Sequence, residues 1–431
     1  MRLEKLLSDP LITTNFSANI FKLPNGLSVI HQCLPATPVV VVDVWVRAGA
    51  IAEPQEWTGM AHFLEHMIFK GTQKLAPGVF DSVIESHGGL TNAATSHDYA
   101  HFFLTTANRY LEDTLPPLAD LLLHAAIPDD EFERERDVVL EEIRACFDNP
   151  DWIGFQALSE NIYQRHPYGR SVLGTEMQLM AQSPQQMRSF HATHYQPENM
   201  TVVITGGVEQ ASALELVNKS FENFCNPSYC PILQSEAEPP ITEIRRQELY
   251  LPRIEQARLL MAWIGPGVEG LRDAYGLDLL SVLLADGRSS RLVRELREEL
   301  RWVQGISSGF SLQRDSSLFT ISAYLEPQYL EQVEAHICDR LLQLQTTPVS
   351  QKELSRCQRL LCNDYIFSTE AAGQLAGLYG YYNTIATAEL AVTYPRQIQG
   401  LTPSDLMVLA QQYLSPHHYA VTVLKPIAGD W

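Results

Sequence analysis

Alternating apolar and polar residues divide the first third of the chain into short strands and amphipathic helices. The β-branched run from Val39 to Val46 predicts a buried strand, and Pro24-Asn25-Gly26 predicts the turn of a hairpin within 21–31. Helical spacing of apolar residues begins near Gly59 and ends before Gly71. The remaining predicted elements are a helix at 79–86, strands around 90–95 and 99–106, and an interrupted helical pattern at 110–147. Because strands and helices occur in blocks, without strict alternation, we expect an α+β fold.

Two stretches, one in each half of the chain, repeat one another. Residues 183–204 and 402–423 each predict a helix, a tyrosine, a short turn and a final strand, and their starts differ by 402 − 183 = 219 positions. A chain of 431 residues also exceeds the ~250–300 residues at which a single core stops growing. We therefore expect two homologous α/β-sandwich domains, each a mixed sheet with helices packed on it. Coincidental similarity of two helix–strand units is the alternative. The predicted division is 1–225, a proline-containing linker at 226–245, and 246–431.

The charge balance and the cysteines narrow the classes of partner and compartment. The sequence carries 31 Lys and Arg against 51 Asp and Glu, a formal charge of −20, which disfavours a nucleic-acid partner. An acidic protein suits basic peptides, although a general role in solubility is the simpler explanation. Seven cysteines without CxxC pairs favour reduced thiols, residues 1–10 lack the features of a leader, and no apolar run approaches the ~18 residues of a membrane span. We therefore expect a cytoplasmic protein with no membrane segment.

The segment 59–71 combines a core-facing helix surface with metal-ligating side chains. Its apolar residues follow the i, i+3, i+4, i+7, i+8 spacing of a buried face: Met60, Phe63, Leu64, Met67 and Ile68. His62, Glu65 and His66 then share the opposite face, where two imidazoles one turn apart can bind one cation. A carboxylate between them can act as general base toward water whose pKa a bound metal lowers to ~7. A solvated surface trio is the alternative, but the helix is otherwise sparsely charged.

A zinc site with one open position needs a third protein ligand. The acidic segment 129–147 predicts a helix with an apolar stripe. At ~100° per residue, Glu135 and Glu142 fall together at the edge of that stripe, whereas Glu141 points away. This geometry favours Glu142 over its neighbour as a partly buried ligand. An acidic face that only solvates the helix is the alternative, and it fits Glu141 well.

The His-x-x-Glu-His order is the inverse of the commoner zincin motif, and neighbouring segments make the pattern more specific. These segments are Leu23-Pro24-Asn25-Gly26-Leu27, Val46-Arg47-Ala48-Gly49-Ala50, Glu53-Pro54, Gly59-Met60-Ala61-His62-Phe63-Leu64-Glu65-His66 and Phe69-Lys70-Gly71-Thr72. Together they resemble the pitrilysin family of zinc metallopeptidases, in its half-length, processing-peptidase-like subgroup. The resemblance covers essentially the whole chain, since that family is built from the same kind of duplicated α+β domain.

The resemblance implies a single zinc ion per chain, with His62, His66 and Glu142 as ligands and Glu65 as the base. In that family the third ligand is a glutamate well after the motif, and a second functional glutamate precedes it by seven positions; here 142 − 66 = 76 and 142 − 135 = 7. Glu135 is therefore expected to support the site. Histidine and carboxylate ligands also accept manganese or cobalt.

Residues 88–96 resemble the active-site edge strand of the same family. Asn92 and Ala93 are expected to hold the backbone of an extended peptide beside the scissile carbonyl by strand addition. An ordinary role of Asn92 in a turn is the alternative.

The second copy lacks the metal ligands. Leu279, Val282 and Leu283 stand where the motif has His, Glu and His, so we expect one metal site per chain. The family has a substrate-contacting Arg and, seven residues later, a Tyr in a segment resembling Arg-Glu-Lys-Arg-Gly-Leu-Ala-Tyr. Here that segment begins at Arg297 and ends at Gln304, which replaces the Tyr that would stabilise an oxyanion. Arg297 is a predicted substrate contact, with a solvated charge on an Arg/Glu-rich helix as the alternative.

These features together predict a zinc-dependent endopeptidase that cleaves peptides or unfolded segments. By resemblance, a chain of this length forms half of a clamshell chamber and pairs with a second half-length subunit. The missing Tyr favours a heterodimer in which this chain is catalytic, while a homodimer that uses Gln304 stays open. The alternative from another class is a non-catalytic scaffold or peptide-binding subunit of a larger complex, and the retained motif residues argue against it.

Overall fold

A computed structural model describes residues 16–222, 230–231, 235–252 and 254–427. Residues 1–10, for which no leader was predicted, lie outside the described residues. So do Cys225 and part of the predicted linker, at 226–229 and 232–234.

Within residues 16–222, the chain forms six strands and eight α-helices. In chain order they are β1 (Asn19–Lys22), β2 (Ser28–Cys33), β3 (Val39–Val46), α1 (Met60–Ile68), α2 (Val79–Ser86), β4 (Leu90–Thr95), β5 (Ala100–Ala107), α3 (Leu111–His124), α4 (Asp129–Cys146), α5 (Pro150–Ile162), α6 (Glu176–Ala181), α7 (Pro184–His194), β6 (Met200–Gly206) and α8 (Gln210–Ser220). The predicted hairpin, strands and helices are confirmed here, with boundaries that differ by at most a few residues.

The described part of the second half forms five strands, six α-helices and a π-helical turn at Val293–Glu299. The elements are β7 (Arg245–Leu251), β8 (Ala257–Pro266), α9 (Leu271–Ala285), β9 (Val303–Leu312), β10 (Ser316–Leu325), α10 (Leu330–Thr346), α11 (Gln351–Phe367), α12 (Ala372–Ile385), α13 (Tyr394–Gln399), α14 (Pro403–Tyr413) and β11 (Ala420–Pro426). Among the described residues, no helix combines the length and apolarity needed to cross a membrane.

Each half contributes one mixed sheet, and the two sheets share a topology. The first has the strand order β1-β2-β6-β3-β5-β4. Strands β2 and β6 are parallel, and all the remaining neighbouring strands are antiparallel. The second has the order β7-β11-β8-β10-β9, again with one parallel pair followed by antiparallel ones. The repeated stretches supply equivalent elements, α7 with β6 and α14 with β11. The predicted α+β fold with two mixed sheets is therefore confirmed.

The contacts group the described residues into two compact units that do not follow the chain order. Of the described residues, the first unit contains 16–144, 170–222, 230–231, 235 and 367–392, and the second contains 145–169, 236–252, 254–366 and 393–427. Helix α12 therefore lies in the first unit although it belongs to the second half, and α5 lies in the second. The repeat predicts a boundary between the two duplicated halves at 226–245, and this boundary stays a prediction.

In the first unit, the two faces of the sheet carry different helices. Alternate residues of β3 face a large core with α1, α2, α3, α4 and α7, while Val41 and Trp45 face α12 on the other side. Gly380 of α12 allows this second contact, because a Cβ there would lie 2.0 Å from Trp45 Nε1. In the second unit, α5 packs on β8 and β11. Strands β1 and β4 form the two edges of the first sheet, and β4 lies beside α1 with no further strand paired to it among the described residues.

Candidate metal centre

Helix α1 presents its polar residues on one side because the other side is fully buried. Met60, Phe63, Leu64, Met67 and Ile68 have no exposed surface, as the apolar spacing predicted. His62 is also buried, at 8% exposure, whereas Glu65 and His66 are half-buried. Packing of the apolar face thus directs both imidazoles and the carboxylate of this helix toward a common space.

Helix α4 brings a carboxylate to the same space. Glu142 Oε2 lies 3.5 Å from His62 Nε2 and 3.5 Å from His66 Nε2. Glu141, one residue earlier, instead pairs with Arg144 on the exposed side of α4. Periodicity had favoured Glu142 over Glu141 for the same reason, namely their positions relative to the buried stripe of the helix.

The donor set fits a zinc ion. The ligand atoms of His62, His66 and Glu142 all lie within 4.8 Å of one another, and they form the one such group among the described residues. Tetrahedral coordination at ~2.0–2.2 Å places ligand atoms about 3.3–3.6 Å apart. The two histidine–glutamate distances of 3.5 Å fall in that range. Two imidazole nitrogens and one carboxylate oxygen, with room for a fourth ligand, form the set used by catalytic zinc sites.

Glu135 lies behind His66, on the same face of α4 as Glu142. Its Oε1 is 3.0 Å from His66 Nδ1, and its Oε2 is 2.6 Å from Lys70 Nζ. A carboxylate that accepts a hydrogen bond from Nδ1–H leaves Nε2 free to bind a metal and fixes the orientation of the ring. His62 has no equivalent support, since its Nδ1 is buried without a hydrogen-bond partner in the part of the chain that the structure describes.

Glu65 is fixed by the edge strand β4. Thr95 Oγ1 donates a hydrogen bond of 2.6 Å to Glu65 Oε2, which leaves Oε1 as the oxygen available to a reactant. Burial raises the pKa of Glu65, while the Thr95 hydrogen bond and the neighbouring His66 act in the opposite direction. A raised pKa brings a carboxylate closer to the value that suits a general base near neutral pH.

The other titratable groups divide according to their partners. Burial lowers the pKa of His62 to about 4, and His66 adds to that effect. Burial acts in the same direction on His66, but the hydrogen bonds of Glu135 and Glu142 prevail and raise its pKa to about 9. The hydrogen bond from His66 lowers the pKa of Glu142, and the bonds from His66 and Lys70 outweigh burial to lower that of Glu135. Two carboxylates that stay ionised beside two imidazoles suit a divalent cation.

Asn92 and Ala93 lie in the middle of β4, the edge strand that carries Thr95. They pair with Phe103 and Phe102 of β5, so the opposite side of β4 is the free edge of the sheet. The Ala93 N–H donates to the side-chain Oδ1 of Asn92 at 2.9 Å. Asn92 is thus part of a strand, which disagrees with the alternative of an ordinary turn residue.

Arg297 lies in the second unit, in the π-helical turn at Val293–Glu299, where it pairs with Glu298 at 2.7 Å. Gln304, in the place of the family's Tyr, is an exposed residue of β9. Leu279, Val282 and Leu283 are buried in α9, and their side chains carry no metal-ligating atom.

Three residues of the site were not identified from the sequence. Thr95, Lys70 and Glu53 stood inside the segments that carry the resemblance, yet no role was assigned to them. Thr95 alternates with Ala93 along β4, so strand periodicity could have placed it beside α1. Lys70 pairs with Glu135, and the Glu53 side chain accepts from Gly59 N and Ala61 N at the start of α1. Both contacts depend on packing between segments, which periodicity does not predict.

Duplicated mixed sheets with an inverted zinc motif on the first copy are typical of one class of metallopeptidase. Two family models match the chain: Insulinase (Peptidase family M16) over residues 28–176, and the Peptidase M16 inactive domain over residues 182–361. The chain is 30% identical over 414 residues to the zinc protease PqqE of Helicobacter pylori, which covers 94% of this chain and 92% of that protein. It is also 28% identical to the uncharacterized zinc protease YmxG of Bacillus subtilis, over 80% of this chain and 83% of that one. The chain therefore belongs to peptidase family M16, which confirms the resemblance found in the sequence.

Solved structures support the same assignment. A protease from Helicobacter pylori superposes with a TM-score of 0.89 at 29% identity, covering 95% of this chain and 99% of that one. The M16 inactive domain from Pseudomonas fluorescens gives a TM-score of 0.86 at 19% identity and shows the shared fold. The periplasmic protease PqqL from Escherichia coli gives 0.80 at 18% identity, and the match covers only 48% of that longer chain. Half-length chains with this fold are thus established.

Proposed function

We propose that this chain is a zinc-dependent endopeptidase whose active site lies in the first unit. The observation that carries the proposal is the convergence of His62, His66 and Glu142 beside Glu65, within hydrogen-bonding reach of a free sheet edge. Membership of the M16 family and relatives named as zinc proteases support it.

Each residue has a separate task in this proposal. His62 Nε2, His66 Nε2 and Glu142 Oε2 would hold the zinc, and the bound ion would act as a Lewis acid that activates water and polarises the peptide carbonyl. Glu65 takes a proton at Oε1 while Thr95 holds its Oε2. Glu135 keeps the Nδ1 proton of His66 in place, and its bond to Lys70 keeps that carboxylate ionised.

Strand β4 would bind the substrate backbone. An extended peptide that adds to the free edge forms main-chain hydrogen bonds, which recognise peptide shape more than sequence. The Ala93 N–H currently donates to Asn92 Oδ1, so an incoming carbonyl replaces that acceptor and releases the Asn92 amide to contact the peptide. The formal charge of −20 favours basic peptides among the possible substrates.

The proposal includes a second half-length subunit. PqqL, about twice as long as this chain, contains a region of the same fold in just under half its length. We infer that two half-length chains enclose a peptide between them, and that a heterodimer is favoured because Gln304 replaces the family's Tyr. Arg297 would contact substrate once released from Glu298. Purification alone and with candidate half-length relatives, followed by mass measurement, tests this. Full peptidase activity of a monomer would contradict it.

The metal site is tested by pairing Glu142→Gln with Glu141→Gln. Both variants remove one carboxylate from α4, but only Glu142 faces the histidines. We expect wild type and Glu141→Gln to contain one zinc per chain and to cleave a quenched peptide. Glu142→Gln should lose both zinc and cleavage. Equal zinc content in all three proteins would contradict the ligand set.

A non-catalytic scaffold is the second candidate function. The model that matches residues 182–361 describes an inactive domain, and the second half lacks the ligands. The first half keeps the complete group of His62, His66 and Glu142, which favours catalysis.

A cytoplasmic location stays a prediction; fractionation of the native cells tests it.

A further inference from the structure

The amino-terminal end of α1 begins without a capping side chain of its own. Its N-cap residue is Gly59, at φ +92°, and the first N–H groups of a helix have no partner within the helix. A Cβ at Gly59 would lie 2.6 Å from the Leu173 carbonyl oxygen, so a conventional capping residue does not fit there. The cap must come from elsewhere in the chain.

Glu53 supplies it. The side chain is buried, at 4% exposure, and its two oxygens accept from two backbone amides at the start of α1. Oε1 accepts from Ala61 N at 2.7 Å, and Oε2 accepts from the N-cap Gly59 N at 2.9 Å. Burial raises the pKa of this carboxyl to about 8, while the hydrogen bonds from the two amides and the charge of Arg170 oppose that shift. The helix dipole likewise favours the ionised form at this end of a helix. Because Ala61 immediately precedes His62, the Glu53 carboxylate fixes the backbone from which the first histidine projects.

The loop that carries Glu53 is fixed in turn to the end of strand β4. Ala50 N donates to Ser96 O at 3.0 Å, and Ile51 N donates to His97 O at 2.9 Å. Arg170 links the same two segments. Its Nη1 donates to the Glu53 carbonyl oxygen at 3.3 Å, and its own carbonyl oxygen lies 3.0 Å from His97 Nε2. The peptide-binding strand and the metal helix are therefore connected through Glu53.

We propose that Glu53 is a positioning residue, which holds the first turn of α1 and His62 in the geometry that binds zinc and fixes that turn relative to β4. It does not touch the metal or the substrate. The proposal rests on the proposed function insofar as the bound metal is zinc. It predicts that a variant without the Glu53 carboxylate still folds but binds zinc with a higher dissociation constant.

Glu53→Gln is the test, because the amide keeps one acceptor oxygen but presents an NH₂ group to the second helix amide. Its matched control is Glu238→Gln in the second unit, where Glu238 likewise accepts from two backbone amides, Arg165 N at 2.8 Å and His166 N at 3.1 Å. Zinc dissociation constants are measured by competition with a chelator, and thermal stability is measured on the same samples.

We expect Glu53→Gln to raise the zinc dissociation constant ~10- to 100-fold, the usual effect of losing an outer supporting group, and Glu238→Gln to leave it within twofold. Faster hydrogen exchange at Gly59 and Ala61 in the metal-free Glu53→Gln protein provides a readout that needs no activity. If Glu53→Gln does not fold, Glu53→Asp, which keeps the charge but cannot reach both amides, should weaken zinc binding several-fold.

An unchanged zinc dissociation constant in the Glu53 variants, or an equal loss in Glu238→Gln, would overturn the proposal. Failure of the proposed function has a different signature. A wild-type chain that binds zinc in a Glu53-dependent way but cleaves no peptide would contradict the endopeptidase and leave the positioning role intact.

Discussion

Among single residues, Glu135 shows how a side chain that is not a ligand determines the site. It is buried to 8% exposure and joins His66 to Lys70, so it controls which nitrogen of His66 carries the proton. We expect Glu135→Gln to reduce zinc affinity by ~10- to 100-fold while the fold is retained, because the amide loses the charge that holds the Nδ1 proton. Chelator competition measures the effect, and the exposed Glu141→Gln is the control. A zinc affinity equal to that of wild type would show that His66 needs no support.

A second prediction at this scale concerns Arg301, which adopts φ +56° after the π-helical turn. The family segment has Gly at this place, and a left-handed conformation costs an L-residue ~1–2 kcal/mol, part of which the greater freedom of unfolded glycine offsets. We expect Arg301→Gly to raise the free energy of unfolding by roughly 0.5–1 kcal/mol. Arg301→Ala keeps the strained backbone and should give no gain. Denaturant titration distinguishes them, and destabilisation by Gly would be contrary to this account.

The residues of the site were predictable to different degrees. His62, Glu65 and His66 could be placed on one helix face from periodicity alone, since their spacing is local. The choice of Glu142 needed the family resemblance as well, because nothing local says which face of α4 meets α1. The sequence does not predict the roles of Thr95 and Glu53. Thr95 contacts Glu65, 30 residues away, and Glu53 contacts Ala61, 8 residues away, and only the folded chain shows these contacts.

At the level of elements, α7 contains two buried histidines that make stability depend on pH. Burial lowers the pKa of His191 and of His194 to about 4 each, although the Leu122 carbonyl opposes this at His191. In the unfolded chain each histidine has its ordinary pKa of ~6.5 and becomes protonated as the pH falls below that value. In the folded chain the same rings become protonated only near pH 4. The stabilisation from the neutral rings is therefore complete above pH 6.5 and is lost as the pH falls from 6.5 to 4.

We expect His191→Gln to remove part of this dependence. At ~1.36 kcal/mol per unit of pKa shift, one buried histidine accounts for about 2–3 kcal/mol of the loss between pH 7 and pH 4. Urea unfolding at a series of pH values measures the slope, and the exposed His417→Gln serves as control because its ring stays in water in both states. A slope unchanged by His191→Gln would contradict the assignment.

Element boundaries followed the sequence closely where patterns were local. β3, α2 and β4 begin and end where β-branched runs, apolar spacing and glycines predicted. The exchange of α5 and α12 between the units was not predicted. An amphipathic pattern shows that a helix face is buried, but not against which sheet.

At the level of the whole molecule, two copies of one topology differ in the side chains of their equivalent helices, α1 and α9. The first brings His62, His66 and Glu142 together in a group that could hold a metal ion, while α9 carries buried leucine and valine at the equivalent positions. Leu279, Val282 and Leu283 of α9 cannot bind a metal, but their burial stabilises the core of the second unit. The duplication was visible in the sequence because both copies keep the same helix–turn–strand ending.

The central claim is that Glu65 is the base of a zinc peptidase. Glu65→Gln removes the base but leaves His62, His66 and Glu142, so the most direct measurement is its rate of peptide cleavage together with its zinc content. We predict one zinc per chain, as in wild type, and a fall in kcat of at least ~10²-fold, the usual contribution of a general base. A zinc-loaded Glu65→Gln protein that cleaves peptide at the wild-type rate would contradict the account.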